Sequence, residues 1–122
     1  MRELTSHKVN GLNEVLRIEV IDEPGAGGAC HSYYITPTVG NASGVRIDFQ
    51  NGPLKETGGI PNGLSQESLL AVVEDRLAGF QSGDYATEDN DEALGHVRAA
   101  MECLHRRTKE RMDRGVEGTM AH

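Results

Sequence analysis

Hydrophobic residues alternate with polar ones in the first half of the chain, which is the pattern of half-buried β-strands. The segments with this pattern are residues 13–22 (NEVLRIEVID), 29–36 (ACHSYYIT) and 45–50 (VRIDFQ). The side chains that the alternation points inward are Leu16, Ile18 and Val20 in the first strand and Val45, Ile47 and Phe49 in the third. Three short strands with tight connections predict a small antiparallel sheet with one buried face.

The apolar spacing becomes helical in the second half of the chain. Before this change, residues 51–63 are rich in glycine and proline and are predicted to be a long functional loop or a linker. Ser65 is a favourable N-cap for a first helix, which can end at Gly79 or Gly83. The apolar residues at helical spacing in this helix are Leu69, Leu70, Val72, Val73, Leu77 and Phe80.

A second, longer helix is predicted to start with Asp89 as its cap and Glu92 in a capping box, and to end at Gly115. Its stripe alternates between spacings of three and four residues, through Leu94, Val97, Met101, Leu104 and Thr108. Two helices joined by a short polar segment form an αα-hairpin. The sequence therefore predicts an α+β fold, with a small N-terminal antiparallel β-sheet followed by a two-helix C-terminal hairpin.

Composition limits both the size of the core and the class of partner. We expect a single domain over residues 1–122, in which residues 1–63 form the sheet region with its glycine-rich loops and residues 64–119 the hairpin. Only 37% of the residues are hydrophobic, and so modest a core predicts that further apolar surface is buried between subunits. The net charge of −7 argues against a protein that binds DNA or RNA polymers.

Neither a membrane segment nor a metal or catalytic motif is found in the sequence. No apolar run reaches the length of a signal-peptide core or a membrane span, so we expect no membrane partner and a cytosolic protein, with Cys30 and Cys103 as thiols. Cys103 and His105 lie about 200° apart around a helix, and no other Cys or His pair has the usual ligand spacing. Nucleophile-elbow, phosphate-binding lysine and zinc-protease motifs are absent. The sequence therefore predicts no metal, no cofactor and no catalytic residue.

A basic segment ends the second predicted helix. Five of the twelve basic residues of this acidic chain fall within residues 106–114. Arg107, Arg111 and Arg114 are spaced i, i+4 and i+7 and so form one row, and Arg111 continues the apolar stripe. Two interpretations remain open, complementation of the helix C-terminus and a site for a small phosphorylated ligand.

Residues 22–31 (DEPGAGGACH) carry three glycines between two predicted strands. A dinucleotide-binding fingerprint needs a third glycine at the position of Cys30 and a helix after it, whereas a strand is predicted here. The segment is therefore either a nest of backbone N–H groups that binds an anion or a flexible hairpin loop.

Phe80 and Asn90 flank the connection between the two predicted helices. An aromatic ring and an amide can together recognise a nucleobase, by stacking and by hydrogen bonds to its edge. The alternatives are that Phe80 belongs to the core and that Asn90 serves only the start of the helix.

Four segments, EVIDEPGAGGA, FQNGPLKE, LLAVVEDRLAGFQSG and RTKERMDRGVEGT, together resemble the phage Thoeris anti-defense 1 proteins. The resemblance runs from about residue 5 to residue 119, and the closing RGVEGT is shared with the related phage anti-CBASS 2 hairpin. It implies a sponge rather than an enzyme. Such a protein binds the glycocyclic ADP-ribose signal of bacterial TIR-domain proteins and holds it intact in the host bacterial cytoplasm.

The resemblance also implies roles for individual residues. It implies that Phe80 stacks on the adenine and that Asn90 contacts the nucleotide nearby. It also implies that Arg107 and Arg111 reach the base and the pyrophosphate, and that the phosphate oxygens accept hydrogen bonds from the backbone of Gly27, Gly28 and Ala29. Some members bind cyclic dinucleotides or trinucleotides at a separate site, and Lys55 matches a basic position of that site. Glu88 stands where a second arginine is expected, which departs from the pattern.

One distance means either that these residue roles are misassigned or that the pocket is shared between subunits, and the apolar stripe and the modest core favour the shared pocket. Asn90 and Arg107 are seventeen residues apart on one predicted helix, which is about 25 Å and too far for both to contact one small ligand within one chain. The family forms symmetric oligomers, which implies a homo-oligomer, from dimer to hexamer. The alternatives are a cyclic-oligonucleotide sponge acting mainly on CBASS, a nucleotide-cleaving enzyme, and a protein whose hairpin binds a host protein.

Overall fold

The computed structural model describes residues 1–115 and divides the chain into two compact units between Leu64 and Ser65. The first unit is built on a β-sheet and the second consists of two long helices. The predicted α+β fold, with the sheet first and the hairpin second, is therefore confirmed. The single domain over the whole chain stays a prediction.

The first unit contains a four-stranded antiparallel sheet. Its strands are β1 (Arg2–Leu4), β2 (Leu16–Val20), β3 (Ser32–Pro37) and β4 (Val45–Asp48), and they pair in chain order. Val20 in the central strand β2 is only 1% exposed. The Tyr33 and Phe49 rings pack edge to face with their centroids 5.7 Å apart. The small core of this unit therefore rests on few side chains, as the low hydrophobic content predicts.

The strands differ from the predicted ones at three places. β2 begins later than residue 13 because Gly11–Glu14 form a short helix, α1, which is capped by the Asn10 side chain accepting the Asn13 N–H at 3.1 Å. The sequence pattern does not predict β1, whose three residues contain one apolar side chain. The prediction that Val45 points inward is wrong: it is 54% exposed, because it begins the edge strand β4, which has a neighbour on one side only.

Residues 51–63 form a loop that returns to the sheet it leaves, and not a linker. Gln50 donates its N–H to the Leu64 carbonyl at 2.8 Å, so the two ends of the loop are joined. Gly63 permits this close return, because a Cβ at this position would lie 2.4 Å from the Phe49 carbonyl carbon. The ends of the loop are thus fixed by the backbone of the sheet.

The second unit contains the helices α2 (Gln66–Gln81) and α3 (Glu88–Asp113). Ser65 caps α2 as predicted, and its hydroxyl accepts the Ser68 N–H at 3.1 Å. α2 continues through Gly79 and ends before Gly83. α3 ends just before Gly115, whose φ of 72° suits glycine at this position. Neither these helices nor any other within residues 1–115 combines the length and apolar character that a membrane span needs.

The predicted cap of α3 is wrong. The N-cap is Thr87, whose hydroxyl accepts the Asn90 N–H at 3.0 Å, and Asp89 lies inside the first turn. The Gln81 side chain holds Thr87 in place, because its amide accepts the Thr87 N–H at 3.0 Å and donates to the Thr87 carbonyl at 3.1 Å. Asp89 instead adds negative charge near the helix N-terminus, where the helix dipole favours it.

The two helices bury one stripe each along the hairpin. Leu94 on α3 is 5% exposed, and the Glu74 carboxylate on α2 lies 3.3 Å from the Arg98 guanidinium on α3. The predicted stripe of α2 is only partly covered, because Val72 and Val73 remain exposed. A hairpin offers each helix a single neighbour, so it cannot cover a wide apolar stripe completely.

Candidate functional site

The glycine loop, residues 25–29, lies between β2 and β3 and is an ordered turn. Gly27 and Gly28 have φ values of 74° and 83°, in the left-handed region that glycine adopts without strain. The Gly25 N–H donates to the Ala29 carbonyl at 2.8 Å, and the Gly28 N–H donates to the Gly25 carbonyl at 3.0 Å. The loop therefore has a defined backbone, and anion binding by its amides stays a prediction.

Three side chains hold this loop from outside. The Ala26 N–H donates to the Asn51 amide oxygen at 3.3 Å, and the Nε2–H of His31 donates to the Ala26 carbonyl at 2.9 Å. The two Asp22 carboxylate oxygens accept the N–H groups of His31 and Ser32 at 2.9 and 3.1 Å. Side chains on both flanks of the loop thus support it, and Asn51 reaches it from a segment that is distant in sequence.

Hydrogen bonds to the charged carboxylate lower the pKa of Asp22. The main cause is the N–H of His31, and the N–H of Ser32 acts in the same direction. The pKa of Asp48 is also lowered, first by the Arg46 guanidinium at 2.9 Å and then by the Ser32 hydroxyl at 2.7 Å. Both carboxylates accept hydrogen bonds that join neighbouring strands or close the glycine loop.

Acid is expected to weaken the sheet unit through Asp22. A lowered pKa means that its contribution to stability is complete above the unfolded-state value of 3.8 and is lost as the pH falls through the lower folded-state value. Asp22→Asn should therefore lower the melting temperature at pH 7 and make it less dependent on pH below about 4. Thermal unfolding from pH 7 to pH 2 measures this, with Asp84→Asn in the helix connection as the control. Equal slopes for the wild type and Asp22→Asn would contradict the assignment.

Phe80 lies at the end of α2, and the residue is 38% exposed. The Arg76 guanidinium, one helical turn earlier, lies 5.1 Å from the ring centroid. A cation over an aromatic face at this distance is attracted by the ring, by about 0.5–1 kcal/mol at an exposed site. The ring is therefore held in place by Arg76 and is not enclosed within the hairpin unit.

Asn90 lies at the same end of the hairpin as Phe80. Its backbone N–H is used by the Thr87 cap, and its side chain is half-buried in the first turn of α3. The Gln81–Thr87 hydrogen bonds close the connection between the two helices. The structure therefore brings the Phe80 and Asn90 segments together, although the role of each stays a prediction.

Lys109, Arg114 and Arg106 at the end of α3 each contact a residue three or four positions away on the same helix. Lys109 lies 3.4 Å from the Asp113 carboxylate, and Arg114 lies 2.8 Å from that of Glu110. Arg106 donates to the Cys103 sulfur at 3.1 Å. Exposed i,i+4 ion pairs contribute about 0.3–0.5 kcal/mol each, so these contacts fit the simpler interpretation of helix stabilisation.

Arg107 and Arg111 differ in their surroundings. Arg111 is only 8% exposed and continues the stripe of α3, as predicted, whereas Arg107 is exposed. Both lie near the C-terminal end of one continuous helix, Arg107 about 25 Å and Arg111 about 32 Å along the axis from Asn90. Most of the RGVEGT motif, residues 116–119, lies outside the described residues.

Lys55 and Glu88 lie in different units. Lys55 is exposed on the short 3-10 helix Leu54–Thr57, within the loop of residues 51–63. Glu88 is the first residue of α3, where the helix dipole favours its negative charge. The position at the helix N-terminus thus accounts for an acidic residue at Glu88, and the role of Lys55 stays a prediction.

Within residues 1–115, no group of three or more His, Cys, Asp or Glu side chains is arranged to hold a metal ion. Cys30 and Cys103 are both free thiols, the first half-buried and the second exposed.

Sequence reasoning missed three residues that organise these segments. Arg76 stands four residues before Phe80, so the i,i+4 spacing could have indicated their contact. Thr87 stands three residues before Asn90 and is a favourable N-cap type, so it was readable as an alternative to Asp89. Asn51 gave no such signal, because it bonds to Ala26 across 25 residues.

Comparison with known proteins identifies a family model and a curated relative that match this chain. The family model described as "Acb2/Tad1, hairpin domain" matches residues 41–109, which is more than half of the chain. Thoeris anti-defense 1 of Bacillus phage SBSphiJ7 is 41% identical over 73 residues. The alignment covers 60% of this chain and 50% of that relative, so the chain spans about half the length of the curated relative. The family match includes Lys55, Phe80, Asn90 and Arg107 and excludes Arg111 and the glycine loop.

Proposed function

The chain belongs to the family of the Acb2/Tad1 hairpin domain, and we propose from this premise that it is a phage anti-defense protein directed against Thoeris immunity. Its relative from Bacillus phage SBSphiJ7 carries the name Thoeris anti-defense 1. We propose that the protein binds glycocyclic ADP-ribose, the signal made by TIR-domain proteins, and sequesters it without degrading it. The place of action is then the cytoplasm of the host bacterium, where this signal is made.

The partly exposed Phe80 ring is the observation that carries this proposal. A phenylalanine that is 38% exposed at the end of a hairpin can stack on a nucleobase, because every base presents a flat face. Arg76 occupies one face of the ring at 5.1 Å, so the base stacks on the opposite face or displaces the guanidinium. Asn90 at the same end of the hairpin supplies an amide for hydrogen bonds to the base edge or sugar.

We propose that the phosphate groups of the ligand bind to the arginines of α3 and to the backbone of the glycine loop. Arg107 is exposed and can pair with a phosphate in a bidentate manner. Arg111 is largely shielded from water, where an electrostatic contact with an anion is stronger. In the glycine loop, Gly27 and Ala29 supply N–H groups, and the Gly28 N–H exchanges its bond to the Gly25 carbonyl for one to a phosphate oxygen.

The lowered pKa values of Asp22 and Asp48 agree with binding without cleavage. Asp22 and Asp48 have lowered pKa values because each accepts hydrogen bonds within the sheet unit. A general acid at neutral pH needs the opposite shift, a raised pKa. The two carboxylates therefore serve as structural acceptors, and the proposal gives neither of them a part in catalysis.

Recovery of intact ligand tests sequestration. The protein is incubated with glycocyclic ADP-ribose, freed of unbound ligand by filtration, and heated to release what it holds. We expect the released molecule to have the mass of the starting signal and to activate the downstream Thoeris effector. Heated buffer carried through the same filtration is the control. A cleaved product in the released fraction would contradict the sponge and support the nucleotide-cleaving alternative.

The length of α3 supports a shared pocket. Asn90 and Arg107 are separated by about 25 Å along one helix, far more than the size of a cyclic ADP-ribose. If both contact one ligand, they belong to different subunits. We propose a homo-oligomer, between a dimer and a hexamer, whose pockets combine the Asn90 end of one hairpin with the arginine end of another.

We propose Lys55 as part of a second site, for a cyclic oligonucleotide of the CBASS type. The side chain is exposed on a turn whose flanking residues are hydrogen-bonded to each other: Asn51 donates its N–H to the Asn62 amide oxygen at 2.8 Å. A lysine on a fixed turn can bind a phosphate as a point charge.

A further inference from the structure

We propose that His31 and Asn51 are positioning residues, which hold the N–H and the carbonyl of Ala26 so that the glycine loop presents its amides to a phosphate. This inference rests on the proposed function, in which the amides of Gly27, Gly28 and Ala29 bind phosphate. Neither side chain needs to contact the ligand itself.

Peptide geometry links His31 to the Gly27 amide. The Ala26 carbonyl and the Gly27 N–H belong to one planar trans peptide group and point in opposite directions. The Nε2–H of His31 donates to the Ala26 carbonyl at 2.9 Å, and this bond fixes the orientation of that peptide plane. His31 thereby directs the Gly27 N–H away from its own ring. A hydrogen bond to the carbonyl also polarises the peptide and strengthens its N–H as a donor.

Asn51 holds the preceding peptide plane. Its amide oxygen accepts the Ala26 N–H at 3.3 Å, and the N–H shares a plane with the Gly25 carbonyl. Gly25 makes room for this support, because a Cβ there would lie 3.1 Å from the Asn51 amide oxygen and 3.3 Å from the His31 ring. Ala26 is therefore held on both sides, by two side chains that meet at Gly25.

Both supports are themselves anchored. The Asn51 N–H donates to the Asn62 amide oxygen at 2.8 Å, and the Asn62 amide nitrogen donates to the Asn51 carbonyl at 2.9 Å. The His31 N–H donates to the Asp22 carboxylate at 2.9 Å. Glycines lose more backbone entropy on ordering than other residues, so a glycine-rich binding loop gains most from supports of this kind.

Matched substitutions test the inference. Asn51→Ala removes the bond to the Ala26 N–H, and Asn10→Ala is its control, because Asn10 likewise accepts one backbone N–H, at 3.1 Å, at the other end of β2. His31→Ala removes the bond to the Ala26 carbonyl, and His31→Gln keeps a side-chain N–H that can donate to it. Affinity for glycocyclic ADP-ribose is measured by calorimetry, thermal unfolding is measured without ligand, and the Gly27 amide is followed by ¹H–¹⁵N NMR.

We expect Asn51→Ala and His31→Ala each to lower the affinity about five- to tenfold, the value of one hydrogen bond. Asn10→Ala should bind like the wild type, and His31→Gln should recover most of the loss and restore the ligand-induced shift of the Gly27 amide. Equal affinity of Asn51→Ala, Asn10→Ala and the wild type would overturn the inference and leave the proposed function standing. A wild type that binds no ligand would overturn the proposed function, and this inference with it. A loss in His31→Gln as large as in His31→Ala would remove His31 from the proposal.

Discussion

Replacing Phe80 with alanine is expected to weaken the binding of glycocyclic ADP-ribose about ten- to a hundredfold, the centre of the range that follows from base stacking on an aromatic ring of roughly 1–3 kcal/mol. The fold should change much less. Truncating a buried phenylalanine costs about 3–5 kcal/mol, but Phe80 is 38% exposed and lies at the end of α2. Calorimetry gives the affinity, and thermal unfolding in the absence of ligand gives the stability.

Tyr85 provides the matched control for Phe80. It is an aromatic residue in the same unit, in the connection between α2 and α3, and is 78% exposed. Tyr85→Ala should leave the affinity unchanged. A large fall in the melting temperature of Phe80→Ala, with wild-type affinity per folded molecule, would show that the ring serves packing and not the ligand.

The second large effect is expected from mixing two defective variants. Asn90→Ala and Arg107→Ala should each lose most of the binding, because each removes one end of the proposed shared pocket. Both should fold, since the Thr87 cap uses only the backbone N–H of Asn90 and the Arg107 side chain is exposed. After co-refolding, a mixed dimer with two shared pockets contains one intact pocket and one with both defects. Titration of the mixture should therefore reveal high-affinity sites that neither variant has alone.

The control for this experiment is a doubly substituted chain. Asn90→Ala and Arg107→Ala on the same chain, refolded with wild-type chains, leaves every mixed pocket with one defect, so no new high-affinity sites should arise from mixed dimers. Light scattering of the wild type gives the oligomeric state. A monomer, or no recovery despite demonstrated subunit exchange, would refute the shared pocket. The proposal would then rest on Phe80 and the glycine loop.

Local features of the second half were readable from the sequence. The three–four spacing of the α3 stripe led to the buried Leu94 and the shielded Arg111, because helical periodicity alone decides which residues share a face. Ser65 was readable as a cap, since its partner lies three residues away. In the first half, alternation located β2, β3 and β4 to within a few residues.

Contacts between distant segments were decided only by the tertiary structure. The Gln81 side chain selects Thr87 as the cap of α3 by bonding across the helix connection. The exposure of Val45 follows from its place on an edge strand, which depends on the order of strands and not on their pattern. The bond from Ala26 to Asn51 spans 25 residues and exists because the sheet brings two loops together. Periodicity and capping act within one or two turns, so the sequence by itself determined the elements and their faces, whereas the supports of the candidate site depend on which segments the folded backbone places side by side.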